Sequence, residues 1–154
     1  MGGEEMKQYK GSIPEITLKY KTGEIKKVQI MSSRDAYYFL KELYDQDTIE
    51  LNETCIALFL NRANNTIGWF KVSQGGINAT VVDNKLIIAT ALKCAASSII
   101  LSHNHPSGNA KPGETDKSAT NTLKDACSLF DITLLDHIIC TSKEYFSFAD
   151  EGLI

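Results

Sequence analysis

The chain has 154 residues, 43% of them hydrophobic and 23% charged, with a net charge of −3 and a pI near 5.6. That length allows one domain with a full core, and that composition excludes a disordered or fibrous chain. The acidic balance argues against a protein built mainly to grip phosphate backbones. The longest apolar runs, "CIALFL" and "LIIATAL", fall far short of the roughly 20 residues of a bilayer span, and the N-terminus "MGGEEMKQYK" has no apolar signal core.

Neither a membrane anchor nor secretion is therefore expected. Cys55, Cys94, Cys127 and Cys140 are irregularly spaced with no C-x-x-C pair, which reads as reduced thiols of a cytoplasmic protein. Lys7, Lys10, Lys19, Lys21, Lys26 and Lys27 make the N-terminal arm locally basic, and a solvated face accounts for them.

In chain order, "EITLKY" and "EIKKVQI" alternate around "KTGE" and predict a hairpin turning at Gly23. "SSRDAYYFLKELYDQD" predicts a helix capped at Ser32 or Ser33, with Ala36, Phe39, Leu40 and Leu43 on one face. Residues 1–48 thus read as a hairpin and helix appendage packed on a main domain of residues 49–154. "TCIALFLN" and "TIGWFKV" flank the turn "RANN", and the first is apolar throughout, as a strand covered on both faces would be. After "SQGGINA", a bend that could also edge a substrate site, "VVDNKLIIATALKCAA" predicts a mostly buried helix capped by Asp83. Then come the short strand "SSIIL", the loop "SHNHPSGNAKPGE", the helix "DKSATNTLKDACSLF" and the strands "ITLLDHIIC" and "YFSFA". The order is mixed α/β, a central sheet flanked by helices.

The loop carries the chemistry. His103 and His105 are spaced i, i+2 at a strand end, which puts both imidazoles on one side. Two converging neutral imidazoles are the start of a zinc site. On the next helix Ala119, Leu123, Ala126 and Phe130 form the expected inward stripe, and Asp116 heads it. A carboxylate there needs a partner, and a metal held by the histidines would be one. An acidic residue in a first turn also suits the positive end of the helix dipole. Three protein ligands and one open position is the stoichiometry of a catalytic rather than a structural zinc.

With His103, Asn104 and His105 in place, Asp116 at the eleventh position after His105, and "HNHPSG", "LLDHII" and "SFADEGL" around them, the sequence resembles the RadC-like members of the JAB/MPN (JAMM-motif) metalloprotease fold, with its cytidine-deaminase-like core. The resemblance spans roughly Glu50 to Ile154. It implies zinc held by His103, His105 and Asp116, and a general base at Glu53, ahead of the apolar strand. Read without it, Glu50 and Glu53 are both ordinary surface carboxylates at a strand end. The implied reaction is attack of a zinc-polarised water on the amide carbonyl of a peptide or protein, with Glu53 moving the proton.

One position departs from the pattern. The family serine that supports the oxyanion falls on Gly113, which offers no hydroxyl, and loss of one such donor costs on the order of a hundredfold to a thousandfold. Ser107, Thr115 or Ser118 would have to substitute for it. Two other functions therefore stay open: a weak or silent MPN-like interaction module, and a DNA-associated accessory protein in keeping with the family's historical link to DNA repair. His137, in "LLDHIIC", reads as a satisfied core histidine, the alternative being that it orients a metal ligand. Trp69, Phe70, Tyr37, Tyr38 and Tyr44 read as core or ordinary surface. Oligomeric state is not legible.

Overall fold

A computed structural model describes residues 26–75 and 82–154. The hairpin expected at Gly23, and Gly76 to Asn78 of the "QGGIN" bend, lie outside the described residues.

Ser32 opens the first helix, α1 (Ser33–Leu43), by accepting a hydrogen bond from the Asp35 amide. Ala36, Tyr37 and Leu40 are its buried residues, with Phe39 and Leu43 partly buried beside them. Next come β1 (Thr54–Leu60) and β2 (Thr66–Gln74), joined by a turn in which Asn64 takes a left-handed φ of 58°. Asparagine tolerates that conformation, and the Asn61 side chain fixes the turn by accepting from the Ala63 and Asn65 amides.

Helix α2 (Asn84–Lys93) is capped by Asp83, which accepts from the Leu86 amide. It buries Ile87, Ile88 and Ala91 but leaves Leu86 and Leu92 exposed, so it is amphipathic rather than mostly buried. Strand β3 (Ser98–Asn104), helix α3 (Glu114–Ser128), strand β4 (Thr133–Cys140) and the short β5 (Tyr145–Ser147) complete the order.

The five strands lie in the order β2-β1-β3-β4-β5. Neighbours are antiparallel except β3 and β4, which run parallel with α3 as the crossover. The chain is thus a mixed α/β fold. Strand alternation explains the unbroken apolar run of β1: Cys55, Ala57 and Phe59 face α2 and α3, while Ile56, Leu58 and Leu60 face α1, Tyr44 and Ile49. Both faces of the central strands are covered, so β3 is buried along its whole length.

The structure corrects two further expectations. "SSIIL" was to end at Leu101, yet β3 continues through the polar residues Ser102, His103 and Asn104. The inward stripe of α3 is also rotated by one residue. Thr120, Leu123 and Cys127 are its buried residues, Ala119 and Ala126 are only partly buried, and Phe130 is 48% exposed. Thr120 can face inward because its hydroxyl is bonded there, to the Asp116 carbonyl and to His137.

Candidate metal centre

Register brings the site together. In the antiparallel pair Cys55 lies opposite His103, so Glu53, two residues before Cys55, and His105, two after His103, emerge at the same end of the pair. His103, at 4% exposed, shares a face of β3 with Ile99 and Leu101 and points beneath the first turn of α3. His105 comes just beyond the strand, its amide bonded to the Cys140 carbonyl.

Four donor groups converge. His103 Nε2 is 2.9 Å from His105 Nε2, 3.3 Å from Asp116 Oδ1 and 3.6 Å from Glu53 Oε1, and His105 Nε2 is 3.5 Å from Asp116 Oδ2. Donor atoms of Glu53, His103 and His105 lie within 4.8 Å of one another. The four residues named from sequence are thus neighbours in space, although Asp116 and Glu53 approach the same nitrogens and distance alone does not divide their roles.

The donor set fits a divalent metal. Bonds of about 2.0–2.1 Å in a tetrahedral site put ligand atoms about 3.3 Å apart, and the separations among the histidine nitrogens and Asp116, 2.9, 3.3 and 3.5 Å, lie around that value. His105 Nδ1 lies 2.8 Å from the Asn109 carbonyl, which can only accept, so the ring donates from Nδ1 and directs the Nε2 lone pair at His103. A nitrogen lone pair surrounded by a second imidazole and two carboxylates calls for a cation.

Protons compete with a metal for the same imidazole nitrogens. Burial pushes the Asp116 carboxyl up, but hydrogen bonding to His103 and His105 outweighs it and holds the group well below the usual carboxylate range. The hydrogen bond with Asp116 raises His105 against the opposing effect of burial. Asp116 Oδ2 also accepts from the Gly113 amide at 2.7 Å, so the same carboxylate caps α3 and faces the histidines. The helix-dipole role and the proposed ligand role are compatible.

Asn104, between the histidines, points to the opposite face of β3. Its Nδ2 donates to the carbonyls of Ile49 (2.7 Å) and Asn52 (2.8 Å), and its Oδ1 accepts from the Thr54 amide (2.7 Å). Together with the bond from the Gly75 amide to the Glu53 carbonyl at 2.9 Å, these bonds hold the backbone of Glu53 and of the residues either side of it. In the sequence Asn104 stands out only as a motif letter; a carboxamide inside a buried strand was the available signal, since such a group must find partners. Asn104→Ala leaves those groups unpaired and is expected to cost roughly 3 kcal/mol, seen as a lower denaturation midpoint.

His137 is buried, with burial pushing it well below its ordinary pKa and the neighbouring His103 adding to that. Its Nε2 lies 2.7 Å from His103 Nδ1, its Nδ1 lies 2.6 Å from Thr120 Oγ1, and its ring stacks on Phe148 with centroids 4.7 Å apart. It is a core residue in contact with a candidate ligand. Thr120 was missed because nothing local distinguishes an inward threonine.

Gly113 is the N-cap of α3, with φ −83° and ψ 172°, a conformation any residue adopts. A Cβ there would sit 3.6 Å from Asp116 Oδ2, an ordinary contact. Of the three substitute hydroxyls, Ser107 accepts from the Asn109 amide while Thr115 and Ser118 are exposed on α3. Tyr37 and Tyr44 are buried, Tyr38 and Trp69 exposed, and Phe70 partly buried, as expected for residues without a shared recognition role.

Residues 30–153 match the RadC-like JAB domain family. Among curated relatives, a UPF0758 protein of Aquifex aeolicus is 36% identical over 143 residues, covering 93% of this chain and 60% of the relative. One from Flavobacterium johnsoniae is 38% identical over 129 residues, covering 84% of this chain and 55% of its own. A third, from Actinobacillus pleuropneumoniae, is 43% identical over 102 residues, with 66% and 46% covered. The chain therefore spans about half the length of these relatives.

Proposed function

The chain belongs to the RadC-like JAB domain family, and from that premise we propose that it is a zinc-dependent hydrolase acting on amide bonds of peptides or proteins. The observation that carries this reading is the convergence of two imidazole nitrogens 2.9 Å apart with the Asp116 and Glu53 carboxylates. His103, His105 and Asp116 are the proposed ligands, because Asp116 approaches both nitrogens and is anchored by the Gly113 amide. When bound, the metal supplies Lewis-acid polarisation of a water and of the carbonyl oxygen.

Glu53 is the proposed general base. Its carboxylate takes the proton of the attacking water and delivers it to the leaving amine nitrogen. Its side chain is only 13% accessible, which limits competing solvent, and its backbone is fixed on both sides. A cleft of about 470 Å³ is lined by Glu50, Pro106, Ser107, Gly108, Thr141, Ser142 and Lys143, and by none of the four candidate residues. Net charge of −3 favours a polypeptide substrate over a polynucleotide. Four free cysteines among the described residues suit a cytoplasmic setting. No helix among the described residues is long and apolar enough to cross a membrane.

Elemental analysis of the purified chain tests the reading. About one zinc per chain is expected, lost in both His103→Ala and Asp116→Ala; a chain that takes no zinc after reconstitution at neutral pH overturns it. One observation favours a second reading. Gly113 leaves the cap of α3 without a hydroxyl, which suits a metal-holding interaction module with little turnover.

A further inference from the structure

We infer that Thr120 and His137 are positioning residues that fix the tautomer of His103, so that its Nε2 lone pair faces the proposed metal. The inference rests on the reading of His103 as a ligand. It comes from the direction in which protons must point along one chain of hydrogen bonds.

That chain starts at the Asp116 backbone carbonyl, an acceptor only. Thr120 Oγ1 lies 2.7 Å from it, so the single hydroxyl proton is used there. The same oxygen is 2.6 Å from His137 Nδ1. Having no proton left, it accepts, and His137 carries a proton on Nδ1. His137 is 1% exposed, stacks on Phe148, and both its nitrogens meet partners that are not carboxylates. A second proton would bury an unpaired cation, which is costly. The ring is therefore neutral and its Nε2 accepts. His103 Nδ1, at 2.7 Å, is the donor, which leaves Nε2, 2.9 Å from His105 Nε2 and 3.3 Å from Asp116 Oδ1, as the nitrogen available to a metal.

The circuit closes on itself. It begins at the carbonyl of Asp116 and ends at an imidazole nitrogen 3.3 Å from that residue's own carboxylate. The first turn of α3 thus supplies a proposed ligand and, through Thr120, the orientation of another. His105 reaches the same outcome in one step, through the Asn109 carbonyl. A metal-ligating histidine whose other nitrogen is held in this way gives up affinity when the support is removed, typically tenfold to a hundredfold.

The test uses the full chain and two measurements. Long-range nitrogen-15 correlation spectra at about pH 8, above the usual imidazole range, report each ring's tautomer without metal. Zinc affinity is measured against a competing chelator. His103 is expected to carry its proton on Nδ1. Thr120→Val, nearly isosteric, is expected to bind zinc about tenfold to a hundredfold more weakly, with Thr120→Ser restoring wild-type affinity. Two results overturn the inference: a wild-type His103 protonated on Nε2 alone, or a folded Thr120→Val that binds zinc as tightly as wild type. Should Thr120→Val fail to fold, the wild-type spectrum and Thr120→Ser still decide. A wild-type chain that binds no zinc refutes the ligand reading instead, and the tautomer spectrum separates that failure from this one.

Discussion

Glu53→Gln is expected to lower amide hydrolysis by about 10²–10⁴-fold, the usual contribution of a positioned general base, while zinc content stays near that of the wild type. Glutamine keeps the shape of the side chain and its backbone anchors, Gly75 and the Asn104 carboxamide. It cannot take up the proton. Metal should persist because the variant leaves intact the contacts at 3.3 and 3.5 Å between Asp116 and the two histidines. Parallel elemental analysis and turnover of whichever amide substrate the wild type cleaves from a peptide panel make the check. Zinc lost in step with activity would make Glu53 a ligand, an arrangement the clustering of its carboxylate with both imidazoles also permits, and would reverse the division of labour between the two acids.

What was legible in the sequence had local causes. The caps at Ser32 and Asp83 were readable because capping is settled within three residues: the acceptors serve Asp35 and Leu86. The two-faced burial of β1 was readable because an all-apolar strand has no solvated side. The end of β3 was not readable. "SHN" looks like loop, and it remains a buried strand only because partners distant in sequence satisfy it. Ser102 is bonded to Tyr44 across 58 residues, Asn104 to Ile49 across 55, and His103 to His137 across 34. The stripe of α3 failed for the same reason. Periodicity favoured Ala119 over Thr120, and only the carbonyl four residues back and an imidazole from β4 make the threonine an inward residue. For the candidate site, His103, His105 and Asp116 were visible as a spacing, Glu53 only through resemblance, Asn104 only as a motif letter and Thr120 not at all, because a positioning role is defined by contacts and not by a pattern.

Gly113→Ser is expected to raise hydrolysis by about a hundredfold, the lower end of what one oxyanion donor contributes. The backbone at Gly113, with φ −83° and ψ 172°, accepts serine without strain, and the new Cβ meets Asp116 Oδ2 at 3.6 Å. Serine at this position also caps α3, adding a few tenths of a kcal/mol over glycine. Its hydroxyl therefore has two competing uses, toward a developing oxyanion or back to the Asp116 amide and carboxylate. Gly113→Ala separates them, since it brings the Cβ without the oxygen. A rate gain confined to serine identifies the missing hydroxyl as the limit on turnover. A higher unfolding midpoint with no change in rate would mean that the serine only caps the helix, and that reading would shift weight to the metal-holding interaction module. The glycine at the head of α3 is thus the residue on which the choice between enzyme and binding module turns.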